Sequence, residues 1–155
     1  TVPVGEDIGF LPGTEEEKMA PWMGALEDNL DVLNKSDEDA GEWGRAATQD
    51  LIRTRIKIKS LNFMRGRTFL HKFLIIDEAQ NLTPKQMKTL ITRAGPGTKV
   101  VCLGNIAQID TPYLTEGSSG LTYVVDRFKG WSHNGHITLT RGERSRLADF
   151  AADVL

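Results

Sequence analysis

Four large apolar residues, Phe73-Leu74-Ile75-Ile76, run without interruption into two adjacent acids, Asp77-Glu78. An unbroken apolar run of this length suits a strand covered on both faces, as parallel strands in α/β proteins are. Ligands of open α/β sheets bind just beyond the C-terminal ends of such strands. An Asp placed there can hold magnesium. A Glu beside it can orient or deprotonate an attacking water. The alternative is a strand that simply ends in two solvated acids.

The pattern around this strand alternates strands and helices. Residues 2–13 are rich in Pro and Gly and are expected to be loop. Thr14 with Glu17 forms a capping box, so a helix should start there, break at Pro21 and resume through Trp22, Leu26, Leu30 and Leu33. The acidic stretch from Asn34 to Gly44 is expected to be an exposed, mobile loop. A short helix is expected around Thr48–Arg53, and Ile56-Lys57-Ile58-Lys59 alternates as a half-exposed strand does. After the acidic strand, Thr83, Pro84 and Gln86 combine a cap, a first-turn proline and a capping box. That helix should run to about Ala94, with Gly95 beyond it. Lys99–Leu103 reads as a second buried strand. Ser118 or Ser119 caps a helix with Leu121, Val124, Val125 and Phe128 on one face. Residues 136–140 read as a strand, and Leu147, Phe150, Ala151 and Val154 as a last helical stripe. The implied class is α/β, a mostly parallel sheet with helices on both faces.

The second strand also ends in polar residues, Gly104-Asn105, with Gln108 three positions on. A polar side chain at a neighbouring strand end can sense a γ-phosphate and position water. Asn105 alone could equally be a turn residue. Arg141 and Arg144 lie just beyond residues 136–140, where a guanidinium can grip a phosphate with two hydrogen bonds. Arg144 could act in its own site or as an arginine finger in a neighbour's. It could also be a surface residue paired with Glu143 or Asp149. Arg65 and Arg67 flank Gly66 in a basic turn that could approach a nucleic-acid backbone, or simply be solvated.

Composition narrows the classes. A net charge of -2 supplies no general argument for nucleic acid or membrane. A single cysteine, Cys102, cannot form an internal disulfide and suits a reducing, cytoplasmic setting. No apolar run approaches the roughly 20 residues that span a bilayer. His133 and His136 lack the partners of a structural zinc site. Gly95-Pro96-Gly97-Thr98-Lys99 looks like part of a phosphate loop. Its glycines follow a helix and precede a strand, the reverse of a working loop, and the spacing G-x-x-x-x-G-K-[ST] occurs nowhere in the 155 residues.

Taken together, the motifs resemble the PhoH family of ATPases, the phosphate-starvation-inducible type, which are similar to the first RecA-like domain of superfamily 1 helicases. The resemblance rests on V-P-V-G-E-D-I-G-F-L-P-G-T-E-E-E-K-M-A-P-W at 2–22, R-G-R-T-F at 65–69 and L-I-I-D-E-A-Q-N-L-T-P at 74–84. It continues through L-I-T-R at 90–93, L-G-N-I-A-Q-I-D at 103–110, S-G-L at 119–121 and G-E-R-S at 142–145. The last of these looks more like the branch in which a PIN-type ribonuclease domain precedes the ATPase. The resemblance implies ATP binding and magnesium-dependent hydrolysis, coupled to RNA in a helicase-like way, in a homo-oligomer that is often hexameric. It implies Asp77 as the magnesium ligand and Glu78 as the catalytic base. Gln80 and Gln108 would contact phosphate or water, Asn105 would be the sensor, and Arg144 the terminal arginine.

The family's phosphate loop lies upstream of the segment that begins at Thr1. The chain therefore reads as the C-terminal part of such an ATPase domain, a partial RecA-like sheet over residues 1–155. It would contribute the carboxylates and sensor but not the phosphate cradle. Alone it should bind ATP poorly, be inactive, and expose a sheet edge that invites self-association. The competing reading is an assembly or RNA-binding module without hydrolysis.

Overall fold

A computed structural model describes residues 14–34, 50, 54–61, 66–140, 142 and 145–155. Its elements are helix α1 (Glu15–Asn34), strand β1 (Phe73–Ile76), a 3-10 turn (Ala79–Asn81), helix α2 (Pro84–Ile91), strand β2 (Lys99–Cys102), helix α3 (Gly120–Phe128) and helix α4 (Arg146–Val154). The loop at 1–13, the acidic segment after Asn34, and most of the helix expected at 48–53 lie outside the described residues. Asp50, Thr54 and Arg55 are helical, and the Thr54 hydroxyl donates to the Asp50 carbonyl at 2.9 Å.

Helix starts follow local chemistry closely. Thr14 and Glu17 form the reciprocal capping box, with Thr14 N donating to Glu17 Oε2 at 2.7 Å and Glu17 N to Thr14 Oγ1 at 3.3 Å. Thr83 and Gln86 form a second, with Pro84 at the first helical position. Each reciprocal pair satisfies two amides that a helix start leaves without partners.

Two expectations for helices change. α1 runs unbroken through Pro21. The proline forgoes its own hydrogen bond to the Glu17 carbonyl and crowds that carbonyl with its ring, a cost of about 3 kcal/mol that the rest of the helix outweighs; Pro21 itself is exposed. α2 ends at Ile91 rather than near Ala94. Thr92 caps it, its hydroxyl donating back to the Lys88 carbonyl at 2.8 Å. Ala94 is then free to bridge Phe69, extending the sheet edge in parallel.

β1 and β2 pair in parallel, Phe73 opposite Lys99 through Ile76 opposite Cys102. The connection between them is α2, as a parallel pair requires a crossover. Gly95-Pro96-Gly97-Thr98 sits in that connection, between α2 and the start of β2, at the end of the sheet away from Asp77. The core joins Ile76 with Ala79, Leu82, Met87 and Leu90, and Leu74, Val100, Cys102, Leu121 and Val124 pack against it. Met87 is wholly buried and Leu90 nearly so, and each such side chain contributes roughly 1.5–3 kcal/mol relative to exposure.

Burial of β1 on both faces is not met among the described residues. Leu74 and Ile76 face the helices, whereas Phe73 and Ile75 are 65% and 55% exposed. Two expected strands are also absent. Residues 56–59 and 136–140 carry no ladder hydrogen bonds, and Ile137 and Leu139 are exposed. Alternation alone does not make a strand. It needs a neighbour with a free edge, and β1 and β2 pair only with each other among the described residues.

Candidate functional site

The C-terminal ends of β1 and β2 meet in one place. Pairing continues past the strands, with Leu103 N donating to the Ile76 carbonyl and Ala79 N to the Leu103 carbonyl, each at 2.8 Å. These two bonds bring the Asp77-Glu78 corner against the Gly104-Asn105 corner. The parallel register thus juxtaposes residues 25 and more positions apart in sequence.

Asp77 and Glu78 are both exposed. Asp77 Oδ1 accepts the Glu78 amide at 2.9 Å, and Oδ2 has no hydrogen-bond partner among the described residues. Glu78 adopts a left-handed backbone, φ 52 and ψ 36. For a residue with a Cβ this costs on the order of 1 kcal/mol or more, and such outliers cluster at functional sites. Here it turns the chain sharply from strand into the 3-10 turn.

Gln80 is wholly buried. Its amide nitrogen donates to Glu78 Oε2 at 2.6 Å and to the Gln108 carbonyl at 3.0 Å. Its amide oxygen accepts Asn105 N at 3.2 Å. Both donor hydrogens are therefore used, and the acceptor is engaged. Contact of the Gln80 amide with phosphate or water would require breaking these bonds in a buried place. Gly104 makes room for this amide, since a Cβ there would lie 2.5 Å from Gln80 Oε1.

Asn105 and Gln108 are exposed beside this knot. Asn105 Oδ1 accepts Ala107 N at 3.1 Å, and Gln108 N donates to the Asn105 carbonyl at 3.0 Å. Asn105 is thus a turn residue, and its Nδ2 has no hydrogen-bond partner among the described residues. The Gln108 side chain points to no partner there either. Asp77, Glu78, Asn105 and Gln108 are brought together. Arg65, Arg141 and Arg144 lie outside the described residues. Arg67 is exposed next to Gly66, whose φ of 76 fits the expected turn.

Sequence reasoning missed Asn81 and undervalued Ser119. Ser119 is fully buried, caps α3 through the Leu121 amide, and donates its hydroxyl to the Gln80 carbonyl at 2.8 Å. Gly120 N donates to the Leu82 carbonyl at 2.6 Å, a closeness that only glycine permits there. The small pair Ser119-Gly120 after a loop was the available signal.

The donor set suits magnesium rather than a metal caged wholly by protein. One exposed Asp with a free oxygen is present, and no cluster of three metal-binding side chains occurs among the described residues. Mg2+ is commonly held by one or two carboxylates together with waters and substrate phosphates.

A parallel strand pair ending in Asp-Glu and Gly-Asn, with helices against it, is a mixed α/β arrangement consistent with part of a P-loop NTPase fold. The comparisons name the family. The PhoH-like protein family matches residues 1–152, and the chain belongs to it. Protein PhoH2 of Bacillus subtilis (strain 168) is 48% identical over 157 residues, covering 99% of this chain and 34% of that protein. Protein PhoH2 of Mycolicibacterium smegmatis is 35% identical, covering 97% of this chain and 32% of its own length. A PhoH-like protein of Bacillus subtilis is 42% identical over 131 residues, covering 83% of this chain and 37% of its own. The chain thus spans about a third of the length of these relatives. No helix among the described residues is long and apolar enough to cross a membrane.

Proposed function

We propose that this chain supplies the magnesium-holding, water-activating and sensing part of an ATPase site. The observation that carries the reading is the amide of Gln80, which ties Glu78 to the loop bearing Asn105 and Gln108. Asp77, whose Oδ2 has no hydrogen-bond partner among the described residues, would hold Mg2+. Bound with ATP, the ion would neutralise phosphate charge and fix the orientation of the γ-phosphoryl group. Glu78 spends Oε2 on Gln80 and keeps Oε1 for an attacking water, whose proton it takes. Asn105 Nδ2 and the Gln108 side-chain amide, which have no hydrogen-bond partner among the described residues, would donate to the γ-phosphate or to that water. Arg144 is assigned the charge-stabilising role, since it matches the family's terminal arginine, and Arg141 phosphate contact from its place just beyond residues 136–140.

The phosphate cradle has to come from residues with the G-x-x-x-x-G-K-[ST] spacing, which this sequence does not contain. Coupling to RNA, assembly into a homo-oligomeric ring, a cytoplasmic location and the branch with an upstream nuclease domain belong to the same reading. Their support is the resemblance. A second reading, RNA binding without hydrolysis, is favoured by the exposed Arg67 in its positive-φ glycine turn.

Replacing Glu78 by Gln in a full-length PhoH protein carrying this chain separates the two. Loss of ATP turnover by about 10²-fold or more, with ATP still bound, is expected for the base. Undiminished turnover would remove Glu78 from that role.

A further inference from the structure

The loop from Gly104 to Thr111 carries Asn105 and Gln108, yet most of it is exposed. Its shape is held from one side by two consecutive residues of the 3-10 turn. Gln80 grips the first half through Asn105 N and the Gln108 carbonyl. Asn81 grips the second half. Its Oδ1 accepts Asp110 N at 2.8 Å and Thr111 N at 3.2 Å, and its backbone carbonyl accepts the Thr111 hydroxyl at 2.8 Å. Two backbone donors on one side-chain oxygen fix which end of the amide faces the loop.

The turn that presents Asn81 is itself tied down. Asn81 N donates to the Glu78 carbonyl at 3.0 Å, and Ala79 N to the Leu103 carbonyl at 2.8 Å. Glu78 and Asn81 are therefore the two ends of one short hydrogen-bonded turn. A displacement of the loop at Thr111 has to be transmitted to, or resisted by, the same turn that aims Glu78.

We propose that Asn81 is a positioning residue, holding the Gly104–Thr111 loop so that Asn105 and Gln108 keep their place beside Glu78. It touches neither nucleotide nor metal. Its kinetic consequence rests on the ATPase reading above, whereas its hold on the loop does not.

The test uses a full-length PhoH protein carrying this chain and three variants at two positions. Asn81→Leu keeps the branching at Cγ and removes the acceptor. Asn81→Asp keeps an acceptor for both amides. Thr111→Val removes only the hydroxyl donor and serves if Asn81→Leu does not fold. Amide hydrogen exchange at Asp110 and Thr111 should speed up about tenfold in Asn81→Leu and return toward wild type in Asn81→Asp. In the same proteins, kcat for ATP should fall roughly ten- to a hundredfold in Asn81→Leu, with ATP affinity within threefold, and recover in Asn81→Asp. Thr111→Val should show the same pattern with a smaller kcat loss. Unchanged exchange in Asn81→Leu and Thr111→Val, or Asn81→Asp as impaired as Asn81→Leu, overturns the proposal. If Glu78→Gln leaves turnover intact, the ATPase reading fails by itself, and exchange alone decides the role of Asn81.

Discussion

The buried amide of Gln80 donates to Glu78 Oε2 at 2.6 Å while its own oxygen receives the amide of Asn105. One side chain therefore joins the acidic corner of β1 to the polar corner of β2. On the proposed role of Glu78 as base, its orientation by a fixed donor is worth more than the bond itself, because misplacement of reacting groups by about 1 Å can cost on the order of a hundredfold in rate.

Gln80→Leu should strip three groups of their partner at once. Burial of groups left without hydrogen bonds costs about 1–3 kcal/mol, so the urea midpoint should fall with little change in slope. Gln80→Glu puts an acceptor against the Glu78 carboxylate and the Gln108 carbonyl. It should be at least as damaging at neutral pH and should recover in part as pH falls and the carboxyl gains a proton it can donate. A pH series of denaturation midpoints checks both. A midpoint for Gln80→Leu equal to that of wild type would show that the knot contributes nothing to the fold.

Gly120→Ala should destabilise the junction of α2 and α3. The added Cβ would lie 2.5 Å from Met87 Cγ, 2.6 Å from the Leu82 carbonyl oxygen and 2.8 Å from that of Thr83. Two of these are backbone atoms that move only with the elements carrying them, so a loss of roughly 1–3 kcal/mol is expected. Gly117→Ala is the control, since a Cβ there meets nothing within 4 Å. Thermal melts of the pair should differ, with the control near wild type.

Burial pushes the Cys102 thiol above its ordinary value. The folded chain then keeps this proton at a pH where an unfolded thiol has begun to lose it. This contribution to stability is complete below the ordinary thiol range, about pH 8.5, and is lost as pH rises through the higher folded value. Reaction with a thiol reagent at pH 8 should be slower than for an exposed cysteine and should accelerate in urea. Equal rates with and without urea would contradict the shielding.

ATP should bind this 155-residue chain weakly when it is produced alone, because no segment of it has the spacing of a phosphate loop. Calorimetric titration in the presence of magnesium is the measurement. Micromolar affinity would mean that Asp77, Asn105 and Gln108 hold the nucleotide without an amide cradle.

What the sequence made legible was local. The capping boxes at Thr14/Glu17 and Thr83/Gln86, and the cap at Ser119, involve partners two or three residues away, so their signal lies in one short window. The acidic end of β1 was legible for a similar reason, since an apolar run and the charges that stop it are contiguous. Gln80 and Asn81 were not. Each is defined by bonds to residues 25 to 39 positions away, which exist only once β2 returns beside β1. A glutamine after Asp-Glu looks the same on paper whether it faces solvent or seals a knot. The alternating segments at 56–59 and 136–140 failed in the opposite way. Their pattern suits a strand, but pairing is a property of two segments, and neither finds a second among the described residues.

The left-handed backbone at Glu78 places two demands on one position. The turn would be sterically easier for a glycine, which has no Cβ to clash in that conformation, whereas a carboxylate can be there only with a Cβ attached. On the proposed role of Glu78, the backbone cost at this corner is what keeps a carboxylate at the end of the strand.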